Sequence, residues 1–426
     1  MIRILRLDDP ADRLQAISLR TTAQIGSQIS ASVAAIIADV RARGDAAVRE
    51  LTERFDGPRL ESFFIDDARW SALADECPAQ VRQALVTAHE RVRDFHARQI
   101  PSSYAVHLQA GGVVRCLTIP LQRAACYVPG GRAAYPSTVI MTAAVARLAG
   151  VPEVIVATPP RRDGGILPAV AAAARIAGAT RILLAGGAQA VAALALGTAT
   201  VPKVDVIVGP GNAYVTEAKR QLSGDVRIDS LAGPTEVVIV ADGSADPRQV
   251  AADLVAQGEH DPLALSVLVT PEASLAQRTV EAVKAELAGH PNRVAAESLA
   301  ARGAAVIARD LDEALAFAND LAPEHLELLL RDAAAALPKV PRAAAVFVGH
   351  YAPVPVGDYL AGPNHTLPTG GTARFASPLN AADFVRRQNV IEYGPGQLAA
   401  DSAAIESLAR AEGLHGHARA IEVRRK

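Results

Sequence analysis

Cysteine, tryptophan and aromatic residues in general are scarce in this chain, and net charge is almost absent. Three cysteines (Cys77, Cys116 and Cys126) among 426 residues, unevenly spaced and without a CxxC, make neither a disulfide framework nor a thiolate zinc site. Cys116 and Cys126 stand in strand-like apolar stretches and read as small buried hydrophobes. One tryptophan and 4% aromatics leave too few rings for a surface built on stacking. A formal net charge of -2 carries no polyanion footprint and argues against nucleic acid as a partner. No apolar run is long enough to span a bilayer, so no membrane partner is expected. The N-terminal MIRILRLDDP has no apolar leader core, which points to the cytoplasm. What is present is a chain 50% hydrophobic and 21% charged, a normal balance for a soluble enzyme and long enough for two or three domains.

The first two dozen residues are irregular and need something to dock on. Ile29 to Phe55 is an amphipathic helical pattern broken at Gly44, and Pro78 to Gln99 is a second, with Val81, Leu85, Ala88 and Val92 at helical spacing. After Pro120 the texture changes. Apolar strands at Ala124–Pro129, 154–157, 181–185 and 204–208 each precede a helix, at about 138–148, 167–176, 190–196 and 213–222. Such alternation predicts parallel βαβ units. The turns between strand and helix (YVPGGRAAYPS, GGAQA, GPGN) then gather at the carboxyl ends of the strands, where such sheets bind ligands. Tyr127, Gln189 and Asn212 fall in those turns, so a nucleotide site is indicated, although structural glycine turns give the same pattern. The dinucleotide fingerprint itself is missing, since GPGNAY has only its first two glycines. A second α/β region opens at 237–240, with a helix capped by Asp246-Pro247-Arg248-Gln249, further strands at 265–269, 305–307 and 345–348, and helices near 275–287 and 312–319. A further helix is predicted to open at Pro323. The last 45 or so residues read as mostly helical, ending in a strand-like Ala420–Val423.

Three polar places stand out. Val356 to Leu379 has no hydrophobic period and packs Gly, Pro, Asn, His, Thr and Ser around one acid, Asp358; long loops of this kind are usually functional. Gln257 and His260 are three apart near a helix end and share a face, an amide oxygen and an imidazole suited to half a metal site, or simply a solvated helix end. Asp358 would be a third ligand, and one of the pair His415 and His417 in EGLHGHAR a fourth; zinc accepts such N/O donors. Glu324-His325, read at a helix start, is an acid beside an imidazole where the dipole favours the carboxylate and a neutral ring, a suitable pair of bases. An ordinary first-turn Glu with a half-buried His fits equally well.

Eight stretches occur in order over some 300 residues: YVPGGRAAYPS, LAGGAQA, IVGPGNAYV, IDSLAGPTEV, AQGEHD, APEHLEL, GDYLAGPNHTLPTGGTARFASPL and EGLHGHAR. Together they closely resemble the histidinol dehydrogenase family, which oxidises L-histidinol through L-histidinaldehyde to L-histidine with two NAD and zinc. The resemblance implies zinc held by Gln257, His260, Asp358 and His417, with Glu324 and His325 as bases. NAD contacts would come from Tyr127, Gln189 and Asn212. Substrate contacts would come from Thr235, Gln257, His260, His325, Asp358, Glu412 and His417, with Ser137 and His365 nearby. Thr235 stands where Ser is usual, Thr142 where Asn is usual and Gly258 where Ala is usual. Thr235 keeps the hydroxyl but adds a methyl, so these departures touch substrate identity more than reaction type. A relative oxidising another polyol, such as a sulfonated propanediol, is the alternative within the family. A zinc hydrolase is the alternative outside it, but it has no use for the loops bearing Tyr127, Gln189 and Asn212.

The expected architecture is two incomplete Rossmann-like α/β domains with parallel sheets. The larger, 25–126 with 237–379, would carry metal and catalytic residues, and the smaller, 127–236, would bind NAD. An arm (1–24) and a helical tail (380–426) would be appendages too small to bury a core alone. Exchange of that tail in a homodimer, with each site shared between subunits, is expected from the same resemblance.

Overall fold

The computed structural model describes residues 2–20, 26–130 and 135–425. Strand β1 (Arg3–Arg6) is followed, after a run of helices, by the hairpin β2 (Tyr104–His107) and β3 (Val113–Pro120). The middle of the chain supplies β4 (Arg123–Tyr127), β5 (Glu153–Thr158), β6 (Arg181–Leu184), β7 (Val206–Val208) and β8 (Arg227–Ile228). Next come β9 (Glu236–Ala241), β10 (Leu265–Thr270), β11 (Gly303–Ile307), β12 (His325–Leu329) and β13 (Ala345–Val348), and β14 (Val385–Glu392) precedes two final helices.

The two expected parallel sheets are present. One has the order β6-β5-β4-β7-β8, the other β1-β11-β10-β9-β12-β13. In the first, chain order reverses beside β4, which makes a crevice at the carboxyl ends of β4 and β7. Both sheets are covered on both faces at their centres, so the central strands are mostly apolar and successive residues enter different cores. Ala125, Tyr127, Ile155, Leu183 and Ile207 point one way, while Cys126, Val156, Ile182, Leu184 and Val208 point the other. In the six-stranded sheet Val238, Val267, Val306 and Leu326 share one core, and Val237, Ile239, Leu268 and Ala305 the opposite one.

The expected grouping of 25–126 with 237–379 is not how the chain packs. Helices Ser27–Arg43 and Asp45–Asp56 set Val33, Ile37, Val40, Val48 and Leu51 against Leu183, Ala190 and Val191 of the five-stranded unit. Helices Asp67–Asp75 and Ala79–His96 cover its other face through Trp70, Leu85 and Val92. A five-stranded parallel sheet needs more cover than its own crossovers provide, and the N-terminal helices supply it. The arm also differs from expectation. β1 pairs in parallel with β11 and buries Leu5, which makes it an edge strand of the six-stranded sheet; residues 21–24 of the arm lie outside the described residues. So do Gly131 to Ala134, including the second glycine of the Gly-Gly turn.

The tail contains an unanticipated strand, β14, antiparallel to β3 from Val385 opposite Pro120 to Glu392 opposite Val113. Helices Pro395–Ala411 and His415–Glu422 follow. Ala420–Val423 therefore ends a helix; four apolar-polar residues are too few to distinguish period 2 from period 3.6. No described helix is long and apolar enough to cross a membrane.

Candidate active site

The predicted helix at Pro323 does not form. Helix Leu311–Leu321 stops at Ala322, held at φ 46°, and β12 begins at His325 between β9 and β13. HLELL is apolar enough for a central strand, and its place in the sheet overrides the helix-start reading of the Pro. The dipole argument for Glu324 therefore falls away. Both candidate bases instead sit at the amino end of β12, against the amino end of β9, where His325 pairs with Val237.

Buried Gln257 and Glu324 are joined there through the half-buried Thr235. Thr235 Oγ1 donates its single proton to Glu324 Oε2 (2.5 Å) and so must accept from Gln257 Nε2 (2.6 Å). That fixes the Gln257 amide with its oxygen turned away from Thr235. The Glu236 backbone N–H also donates to Glu324 Oε2 (2.8 Å). Burial pushes the Glu324 carboxyl above its usual range, opposed by His325 and by these donors. His325 Nδ1 lies 2.9 Å from the Glu236 carbonyl. A carbonyl only accepts, so Nδ1 carries the proton and Nε2 presents a lone pair. Nε2 is buried, has no hydrogen-bond partner among the described residues and stands 4.0 Å from Asp358 Oδ1.

Asp358 lies on a six-residue helix, Val354–Tyr359, rather than on the expected open loop. Its side chain is 18% exposed, and among the described residues no donor hydrogen-bonds its carboxylate. His365 holds it from behind. His365 Nδ1–H donates to the Asp358 carbonyl (3.1 Å), and the Thr138 hydroxyl, one residue after Ser137, meets Nε2 (3.2 Å). With both nitrogens engaged by protein and burial lowering its basicity, His365 orients Asp358 and offers no free nitrogen to a ligand. His260 is exposed in the turn after helix Pro247–Gly258, within electrostatic reach of His365.

Among the described residues, the Gln257 oxygen, the Asp358 carboxylate and the His325 Nε2 lone pair are thus acceptors without protein donors. Such a donor set fits a cation and a substrate bearing N–H or O–H groups. The set is incomplete: among the described residues no three His, Cys, Asp or Glu side chains converge to hold an ion. His417 and Glu412, expected here, are exposed at the C-terminal helices. No hydrogen bond or ion pair among the described residues joins either of them to this cluster.

The second place is a cavity of about 1520 Å³ at the carboxyl ends of β4 to β7, lined by Tyr127, Gln189 and Asn212 and also by Asp56, Thr158 and Tyr214. Two of the expected residues have structural work as well. The Tyr127 hydroxyl accepts the Gly187 N–H (3.0 Å), and Asn212 Oδ1 caps helix Ala213–Leu222 by accepting from Tyr214 and Val215. The turn before Asn212 is held from beneath. Lys219 and Asp229 form a buried ion pair, with Lys219 Nζ donating to the Gly209 carbonyl (3.0 Å) and the Gly209 N–H donating to Asp229 (2.7 Å). Breaking such a pair from one side typically costs about 3–5 kcal/mol. Gly209 itself is obligatory: its φ is +109°, and a Cβ would stand 2.2 Å from the Tyr127 carbonyl.

The sequence pattern of the family described as histidinol dehydrogenase matches residues 19–425. The chain belongs to the histidinol dehydrogenase family. A histidinol dehydrogenase of Synechococcus is 46% identical over 430 aligned positions, covering 100% of this chain and 99% of its own length. One of Prochlorococcus marinus is 47% identical over 412, covering 96% and 93%. The crystal structure of histidinol dehydrogenase from Elizabethkingia anophelis matches with a TM-score of 0.92 at 31% identity, covering 99% of this chain and 98% of that one. The protein is accordingly an oxidoreductase.

Two residues of this family member escaped the sequence reading. Glu236, inside AGPTEV, is buried and accepts the backbone N–H groups of Gly370 (3.1 Å) and Glu324 (3.4 Å). Burial and the neighbouring Glu324 push its carboxyl up to about 7. A charged residue opening an apolar strand was the available signal. Asp56 ends helix Asp45–Asp56 and reaches the cavity, accepting the Gly186 N–H (3.3 Å) and the Gln189 amide (3.5 Å). Burial pushes it up to about 6. Nothing in ERFDGP separates it from a solvated helix end.

Proposed function

We propose that this enzyme carries out the zinc-dependent, NAD-linked four-electron oxidation of L-histidinol through L-histidinaldehyde to L-histidine, the last steps of histidine biosynthesis. The observation that carries the reading is His325. Its Nδ1–H is spent on the Glu236 carbonyl, and its free Nε2 faces Asp358 beside the buried carboxyl of Glu324. This is an imidazole base and a carboxyl base at one point, as two successive oxidations with an intervening hydration require.

Bound NAD would take up a hydride in each oxidation, and bound zinc would orient the substrate as a Lewis acid. Gln257, His260 and Asp358 would hold the metal with His417. Tyr127, Gln189 and Asn212 would line the NAD site, with Asp56 against it. His325 Nε2 takes the alcohol proton in the first oxidation. Glu324 then takes a proton from the water that adds to the aldehyde, and His325 returns its Nε2 proton to the aldehyde oxygen, which completes the hydrate and frees the ring to accept again. Hydration must come first, because only the hydrate has both a C–H to lose as hydride and an O–H to give up on the way to an acid. His325 Nε2 takes the hydrate's hydroxyl proton in the second oxidation.

His417 and Glu412 would enter the site from the partner subunit of a homodimer with exchanged tails. Their exposure in their own chain supports this. So do the exposed apolar residues flanking the Asp358 region, Tyr359 and Phe375, the latter 84% exposed.

NADH formation with L-histidinol and with a panel of small diols, including a sulfonated propanediol, tests the substrate. L-histidinol should give the highest kcat/KM by at least about tenfold, the scale of one well-placed polar contact. Brisk turnover of another diol with none of histidinol would assign the enzyme to a different polyol. No NADH with any alcohol would return the zinc hydrolase.

A further inference from the structure

Buried Glu327 and half-buried Asp253 form an acid pair that the chemistry above does not use. Glu327 lies in β12, two residues past His325, and is 0% exposed. Asp253 lies in helix Pro247–Gly258, one turn before Gln257. The Asp253 carboxyl stands against that of Glu327, close enough to share a proton with it. Glu327 Oε1 accepts the Val354 N–H (2.8 Å), and Val354 is the first residue of the short helix that carries Asp358. Among the described residues Glu327 Oε2 meets no N–H or hydroxyl donor, which leaves the Asp253 carboxyl as its neighbour able to share a proton. Neither acid has a salt-bridge partner among the described residues. A buried carboxyl facing a half-buried one without a cation resists double ionisation, which favours one proton held between them. Burial raises both groups, Asp253 to about 6 and Glu327 to about 9, in the sense that arrangement requires.

The pair therefore touches three elements at once: the helix bearing Gln257, the strand bearing Glu324 and His325, and the helix bearing Asp358. We propose that Glu327 and Asp253 are positioning residues, whose shared proton and grip on the Val354 N–H set the separation of Gln257, His325 and Asp358. The proposal rests on reading those three as the reaction centre. It explains why a costly acid pair occupies a place where apolar side chains would pack: an apolar pair fills the space but has no acceptor for Val354 and no directional link between strand and helix.

Glu327→Gln keeps both bonds, since the amide oxygen accepts from Val354 and the amide nitrogen donates to an ionised Asp253. Glu327→Leu fills similar volume and keeps neither. Zinc affinity, by competition with a chromophoric chelator, and kcat and KM for L-histidinol would be measured on the full-length protein alongside its thermal midpoint. Glu327→Gln should stay within about threefold of wild type in both readouts. Glu327→Leu should lose about 10–100-fold in zinc affinity and in kcat, the usual cost of removing support behind a site. Its melting point should fall, because the Val354 N–H loses its acceptor, so zinc affinity and kinetics are read well below that midpoint. Wild-type behaviour of the Leu variant would overturn the proposal. So would collapse of Glu327→Gln, and that single outcome decides the matter if Glu327→Leu fails to fold. A wild-type protein inactive on L-histidinol would sink the functional reading instead, while the variants' zinc affinities would still judge the acid pair.

Discussion

Glu324→Gln should leave the first hydride transfer near its wild-type rate and slow the second by roughly 10²–10⁴-fold, the usual contribution of a positioned base. Glutamine can keep its oxygen on the Thr235 hydroxyl and the Glu236 N–H, the two donors that fix Glu324 Oε2, so the shape of the site survives. What it cannot do is take a proton from water, and only the second oxidation needs that. The pH dependence carries a sign. Burial raises Glu324 above its ordinary value of 4.5, and a base works only when ionised. The second step should therefore rise with pH through a midpoint displaced upward from 4.5, and that limb should vanish in the Gln variant. Single-turnover kinetics started from alcohol and from aldehyde at several pH values separate the steps. Equal loss at both steps would overturn the division of labour between Glu324 and His325.

Mixing two inactive variants should restore activity. Gln257→Ala removes a proposed ligand from the large sheet's side of the site, and His417→Ala removes one from the tail. If tails are exchanged, a hybrid dimer has one site lacking both ligands and one site intact. At equal amounts about half the dimers are hybrids with one good site of two, so roughly a quarter of wild-type activity should return if sites act independently. If each site were built within one chain, every site in a hybrid would carry one lesion and nothing would return. Native mass spectrometry confirms that hybrids form, and their presence without recovery would rule out sharing.

The sequence was most legible where one physical signal dominated. Apolar strands alternating with helices announced both parallel sheets, and Asp246-Pro247 announced a helix that begins where expected, with Asp246 accepting the Arg248 N–H (2.9 Å). It was least legible where position in the sheet decides. Pro323-Glu324 looks locally like a helix start, yet β9 and β13 flank β12 and hold it as a strand. That reversal changes the reason Glu324 is perturbed, from a dipole that would ionise it to burial that resists ionisation. Helices 27–56 and 67–96 gave no local sign of which sheet they cover, because an amphipathic stripe says only that something apolar lies opposite. Residues expected together at the site divide along the same line. Thr235, Gln257, Glu324, His325 and Asp358 meet because β9, β12 and the helices beside them bring them together. Glu412 and His417 lie exposed on the tail, and among the described residues no hydrogen bond or ion pair joins their side chains to that cluster. The resemblance put His365 near the site, but only geometry shows both of its ring nitrogens engaged.

The central claim, a four-electron oxidation at one site, is tested most directly by counting NADH against substrate consumed. With limiting L-histidinol and excess NAD, the account predicts two NADH and one L-histidine per molecule, with no free aldehyde accumulating. One NADH per alcohol, with an aldehyde as the product, would contradict it.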